Sequence, residues 1–455
     1  MLLSLTRPLV LAGCAKMMQY EQFWEQPLET PLPWIALLFA VMCLAQSYQY
    51  QPGGVSSDPK PLIEGYREKV IQCLVQSKYT KCAPYTIETL VLLLHVEYIR
   101  NQDTQIETWI LLGVIIRLAL RMGYHRDPSH FPHISPFHGE MRRRVWAIIF
   151  QLDILSSTQV GLPRMIKGSN FDTAEPRNLL DDDFHKDISA LPLPRPNSIQ
   201  TQIQYVVAKN KILAIFGTIS DLITSTRLGL SSYPEVMRLD GILRETYMSL
   251  PEVLQTRSMT KSIMDSPDII IGRLYIALTY QKAKCILHYK FMLPARTDDR
   301  YKYSRSACIE AALRLLEYQR ILNQETQAGG RLRNDRWKVS SIVNASFFLA
   351  TTLLCLELDY DITREPASNS PSTSTDNDTR HRIMNALHNS YLIWIQTSDT
   401  SGEARKAADV LRFVLGKAQK MDTRRQVGWG EAFNSTPTET INSGGLPTPG
   451  TFKIW

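Results

Sequence analysis

The sequence is short of the features that most directly announce a function. It has no C-x-x-C pair. Its seven cysteines, Cys14, Cys43, Cys73, Cys82, Cys285, Cys308 and Cys355, are odd in number and widely scattered. That excludes a disulfide-stapled scaffold and points to reduced thiols inside a cell. It has no block of five or more basic residues, and the longest basic run is Arg142-Arg143-Arg144. The net charge of +7 is therefore diluted over 455 residues, which permits an anionic partner without naming one. The apolar run "WIALLFAVMCLA" has 12 residues, where a membrane span needs about 20. It reads as a buried helix, and no membrane partner is expected. At the N-terminus, Arg7 and Pro8 interrupt the apolar residues, which argues against a signal peptide.

Catalytic signatures are missing as well. His125-Arg126-Asp127 is the tripeptide of the protein-kinase catalytic loop, in which an Asn five residues after the Asp holds a metal ion. Here that position is Pro132, and no Gly-rich phosphate cover, strand lysine or Asp-Phe-Gly accompanies it. His125, His130, His133 and His138 cluster, but Pro128, Pro132 and Pro136 interrupt them and their spacing fits no standard zinc site. Asp181, Asp182, Asp183 and Asp187 suggest the magnesium site of an all-α isoprenoid synthase, the enzyme reading with most in its favour. They sit in a Pro-rich stretch without the second metal motif of those enzymes, so no catalytic, cofactor-binding or metal residue is assigned.

What the sequence does have is helical period. With 44% hydrophobic residues it can fill a large core. After the first apolar run, helical segments are predicted over 62–76, 84–102, 107–124, 139–158, 199–226, 234–250, 269–293, 304–325 and 337–358. No alternating strand pattern competes with them. The predicted fold is all-α, a large multi-helix domain with long surface loops and a disordered tail. Residues 176–198 carry too many prolines for a helix and read as a surface loop, and 361–380 read as a disordered insert. A final helix is expected from about His381 to Met421, and the chain from 428 to 455 reads as unstructured.

The segment Trp109 to Tyr124 is apolar on nearly every side, which predicts a helix buried all round. Gly113 within it suggests a close backbone neighbour, and Gly123 stands where a helix C-cap belongs. His125-Arg126-Asp127 is then a helix exit. Arg117 in a buried helix would need an acid, and Asp153 or Glu140 on the next helix is the expected partner. Arg142, Arg143 and Arg144 point about 100° apart, so structural ion pairing is favoured over a shared phosphate ligand.

Taken together, "TWILLGVIIRLALRMGYHRD", "SPFHGEMRRRVWAIIFQLDILSSTQVGLPRMI" and "FDTAEPRNLLDDDF" resemble the middle homology region of the fungal zinc-binuclear-cluster transcription factors. The matching positions are Trp109, Gly113, Arg117, Ala119, Gly123, His125, Arg126, Asp127, Glu140, Arg142, Arg143, Arg144, Trp146, Asp153, Gly161 and Pro163. Leu162 stands where an Arg is usual, and Tyr124 where a Leu is common. Further likeness is carried by "YTIETLVLLLHVEYI", "LDGILRETYMSLPEVL" and "LTYQKAKCILHYKFML".

The resemblance implies a regulatory domain over about 31–360, preceded by an extension (1–30) and followed by the insert, a helical segment (381–427) and the tail. It also implies a nuclear transcription regulator of a fungal gene set, such as a secondary-metabolite cluster. Members of the family read DNA through six cysteines holding two zinc ions. This sequence contains no such spacing, so zinc is expected only if an upstream cysteine cluster precedes it. Expected partners are the transcription machinery or a DNA-binding partner, a second subunit in a homo- or heterodimer, and a small-molecule effector. The alternative reading is a ligand-sensing or interaction module without DNA contact.

Overall fold

The computed structural model describes residues 23–25, 29–49, 60–101, 103–225, 233–364 and 374–428. Most of the expected extension (1–30) and the expected tail beyond Gly428 lie outside the described residues. Among the described residues every regular element is helical, as expected. The chain divides into two compact units, residues 1–350 and 351–455.

In the first unit, α1 (Leu32–Gln49) packs against α2 (Lys60–Gln76) and α3 (Thr86–Arg100). The chain then zigzags through α4 (Ile106–Arg121), α5 (Pro136–Val160) and α6 (Gln202–Thr224), each helix lying on the one before. Helix α7 (Tyr233–Met248) and α8 (Pro267–His288) both pack on α6, and α9 (Lys302–Glu325) packs on α8. Helix α10 (Ser341–Arg364) starts in this unit.

The innermost helices are α5 and α8. From Arg144 to Thr158 every residue of α5 is buried, and from Ile270 to Tyr280 every residue of α8. Each fully buried Leu, Ile or Phe there contributes about 1.5–3 kcal/mol. Helix α4, predicted to be buried all round, is not. Ile106, Ile110, Arg117 and Leu120 face outward, with Ile110 55% exposed. Its other face, Leu112, Ile115, Ile116 and Ala119, is in the core.

Local chemistry sets the helix ends. Gly123 (φ +76°) closes α4: its N–H donates to Leu120 O, and Tyr124 N–H reaches back to Ala119 O at 3.0 Å. Ser135 caps α5 by accepting from His138 N–H, with Pro136 at the first helical position. Gly161 (φ +70°) ends that helix in the left-handed conformation that side chains disfavour.

In the second unit, α11 (Ser374–Thr397) packs against α12 (Gly402–Gly428). The single helix expected from about His381 to Met421 is thus two, with the break at residues 398–401. The stretch expected as a disordered insert (361–380) is helical at both ends, where α10 stops at Arg364 and α11 begins at Ser374. Helix α10 is long and apolar enough to cross a membrane, but 72% of its apolar window is buried inside the protein, as in a core helix.

Candidate functional site

The signature residues converge where α4 ends and α5 begins. The turn after Gly123 runs beside residues 172–174: Asp172 N–H donates to His125 O at 3.0 Å, and Thr173 Oγ1 donates to Tyr124 O at 2.7 Å. Between them sits Asp127. Its carboxylate accepts two hydrogen bonds from Arg143, at 2.9 and 2.7 Å, and one each from the N–H of Ser129 and of Ala174. Burial alone would raise the Asp127 carboxyl, but Arg143 and the hydrogen bonds from Ser129 and Ala174 outweigh it and hold it well below the usual carboxylate range. The tripeptide is more than a helix exit, because its acid binds α5 to the turn.

Each arginine of the triplet has separate work. Arg142 donates to Met122 O at 3.1 Å and stacks over the Tyr124 ring. Arg143 forms the fork on Asp127. Arg144 is fully buried and donates to Glu140, to Asp181 at 2.9 Å and to Leu179 O, with its guanidinium over the Phe184 ring. Glu140 also accepts from Arg177 N–H at 3.0 Å. Burial pushes the Glu140 carboxyl up to about 7, against the opposing pull of Arg144 and Arg143. These guanidinium groups are committed within the fold and do not form one basic face.

The expected loop 176–198 is irregular apart from one 3₁₀ turn, but it is fastened down. Leu179 and Phe184 join Phe137 and Met141 of α5 in a buried cluster. The aspartate run is dispersed over arginines: Asp181 takes Arg144, while Asp183 takes Arg195 at 2.7 and 2.5 Å. Among the described residues no three His, Cys, Asp or Glu side chains gather as metal ligands would.

Two expectations about this region are overturned. Arg117 pairs with neither Asp153 nor Glu140; it lies on the exposed face of α4 and its guanidinium reaches only Gly113 O, at 3.5 Å. In that position its charge stays in water and needs no buried acid. Asp153 is buried in α5 and accepts from the N–H groups of Met165 (3.1 Å) and Ile166 (2.7 Å). It thereby fixes the turn through Gly161 and the exposed Pro163. Gly113 meets the side chains of Arg117 and Met165 rather than a neighbouring backbone.

Of the two aromatic signature residues, Trp146 is buried against Phe171, with ring centroids 5.8 Å apart, and Trp109 is half-buried. Sequence reasoning missed the next clamp along. Arg164 forks onto Asp221 at 3.1 and 2.8 Å and donates to Ile166 O. A Cβ on Gly217 would stand 2.8 Å from the Arg164 guanidinium carbon, so a side chain there would push the guanidinium from its present position. The available signal was a glycine in the middle of an apolar helix.

Comparison with known proteins agrees with this arrangement. Residues 16–253 match the family model described as the fungal specific transcription factor domain. The chain is 57% identical over 424 residues to the Zn(2)-C6 fungal-type transcription factor pigI of Monascus ruber, covering 92% of this chain and 52% of that protein. It is 39% identical to the equisetin cluster transcription factor eqxF of Fusarium heterosporum, covering 90% of this chain and 59% of that one. With transcription factor cghF of Chaetomium globosum it shares 33% identity, over 89% of this chain and 71% of that protein. The chain spans roughly half the length of the first two of these relatives. No solved structure matches. The family model covers more than half of the chain, over the helices that carry the arginine clamp: the protein belongs to the fungal specific transcription factor domain family.

Proposed function

We propose that this chain is the helical regulatory part of a nuclear transcription regulator controlling a fungal biosynthetic gene cluster, and that it is not an enzyme. The observation that carries the reading is the family match over residues 16–253. The relatives named for the pyrrolocin and equisetin clusters support the class of target. The site geometry agrees with it, because Arg143 and Arg144 are neutralised by Asp127, Glu140 and Asp181 within the fold. Its partners are the transcription machinery or a DNA-binding protein, with a homo- or heterodimer and a small-molecule effector as further candidates. It has no cofactor in this chain, and zinc would belong to a cysteine cluster outside the sequence.

The test is deletion and over-expression of the gene, with transcripts of the neighbouring biosynthetic genes measured and a fluorescent fusion located. Expected are falling and rising transcripts, respectively, and a nuclear signal. Unchanged transcripts in both strains would sink the reading. The ligand-sensing reading has one observation in its favour, a pair of buried lysines with no acid beside them.

A further inference from the structure

Buried cations in this protein generally come with acids. Lys338, 1% exposed, has Asp335 at 2.6 Å and Asp268 at 2.8 Å. Buried Arg273 has Asp265 at 2.5 Å, and Arg144 has Glu140 and Asp181. Lys209 on α6 and Lys282 on α8 break that pattern. They are 1% and 3% exposed, and neither Nζ has a hydrogen-bond partner. Both line one void between α5, α6, α8 and the first turns of α10, and no carboxylate among the described residues lines it.

The rest of the lining is mixed: Leu155, Leu278, Ile342 and Val343 contribute apolar surface, while Tyr275, Thr279 and Ser346 contribute hydroxyls. Two of those hydroxyl protons are committed: Tyr275 donates to Lys338 O at 2.7 Å and Thr279 to Tyr275 O at 2.8 Å. Neither lysine Nζ has such a commitment among the described residues. The Lys209 Nζ lies 5.9 Å from the centroid of the Tyr205 ring. The void is about 20 Å³, enough for one water-sized group and too small for a phosphate.

We infer that Lys209 and Lys282 line a binding site for one halide-sized anion. Two unpaired ammonium groups in a shared apolar enclosure attract one negative charge strongly, because little water screens them there. Burial holds Lys209 down to about 7 and Lys282 to about 8. An arriving anion favours the charged forms, so binding takes up protons near neutral pH. The site lies at the junction of four helices, where occupancy would alter their packing. As an effector site it deepens the regulatory reading, but anion binding itself does not depend on that reading.

The test is isothermal titration of the purified chain, with sodium isethionate as the bulk salt and chloride, acetate, inorganic phosphate and acetamide as ligands. Chloride should bind saturably, one per chain, with proton uptake. Acetate and phosphate should bind at least about tenfold more weakly, and neutral acetamide not at all. The K209M/K282M variant should lose the binding. The inference is overturned if chloride does not bind, if the double variant binds as the unmodified chain does, or if acetate, phosphate or acetamide binds equally. The acetamide comparison uses the unmodified chain, so it decides the matter even where the variant does not fold. These results concern binding only, and unchanged transcripts in the deletion strain would bear on the regulatory reading alone.

Discussion

Two places in this protein bury clustered positive charge, and they do so in opposite ways. At the start of α5, Arg143 and Arg144 are enclosed with Asp127, Glu140 and Asp181. Between α6 and α8, Lys209 and Lys282 are enclosed with no acid among the residues around their void. The first arrangement is a lock: charge is neutralised inside the fold, and Arg144 also donates to Leu179 O and lies over the Phe184 ring. The second leaves the charge uncompensated, so the protein gains by losing a proton or acquiring an anion. Guanidinium suits the lock, since it stays protonated and forks onto a carboxylate, whereas an amine can shed its proton when buried.

The comparison can be broken most forcefully at the lock. Asp127→Ala strands Arg143 and two N–H donors, and should cost about 3–5 kcal/mol in chemical denaturation. A loss below about 1 kcal/mol would mean the arginine is solvated and the lock is not one. At the lysine void the sign should reverse. K209M/K282M removes two uncompensated charges at similar volume, and should raise stability by about 1–4 kcal/mol at neutral pH without bound anion. A destabilised double variant would contradict that.

The pH dependence sharpens the same contrast. The folded lysines titrate at about 7 and about 8, below their ordinary 10.5. Between those values the unfolded chain holds protons that the folded chain has released, so the lysine contribution to stability rises with pH from about 7 to about 10. The slope is at most about 1.4 kcal/mol per pH unit for each lysine. Burial pushes neighbouring Tyr205 and Tyr275 up, so both stay protonated through that window. Denaturation midpoints followed across it should lose this rise in the double variant.

Smaller effects are expected beside the lock. Asp153→Asn turns one acceptor of two backbone N–H groups into a donor, and should cost about 1–3 kcal/mol by thermal or urea unfolding. Arg117→Ala should change stability by no more than about 0.5 kcal/mol, because the side chain is exposed and unpaired with acid. A loss of several kcal/mol in that variant would restore the buried pairing that the structure replaces.

Much of this was legible before the structure. The helical period of α2, α3, α6, α8 and α9 is local, as is the Gly123 turn, whereas α5 was expected to begin at residue 139 and its Ser135-Pro136 start was missed. That the arginine triplet would pair within the fold followed from their divergent directions on one helix. The acids that Arg143 and Arg144 meet across the fold did not follow, because Asp127 and Asp181 are brought to α5 by segments that carry no regular pattern. Arg117 was misassigned for a related reason. A helix with apolar residues on every side reads as buried, and only the placement of its neighbours shows that Ile110, Arg117 and Leu120 are left facing outward.

By itself, the sequence determined the helical class, most of the helices, the Gly123 cap and the family signature, since each depends on residues a few positions apart. Tertiary structure decided which acid each cation meets. It also left Lys209 and Lys282 without one among the described residues, because they lie far apart in the chain and only the packing of α5, α6, α8 and α10 sets what surrounds them.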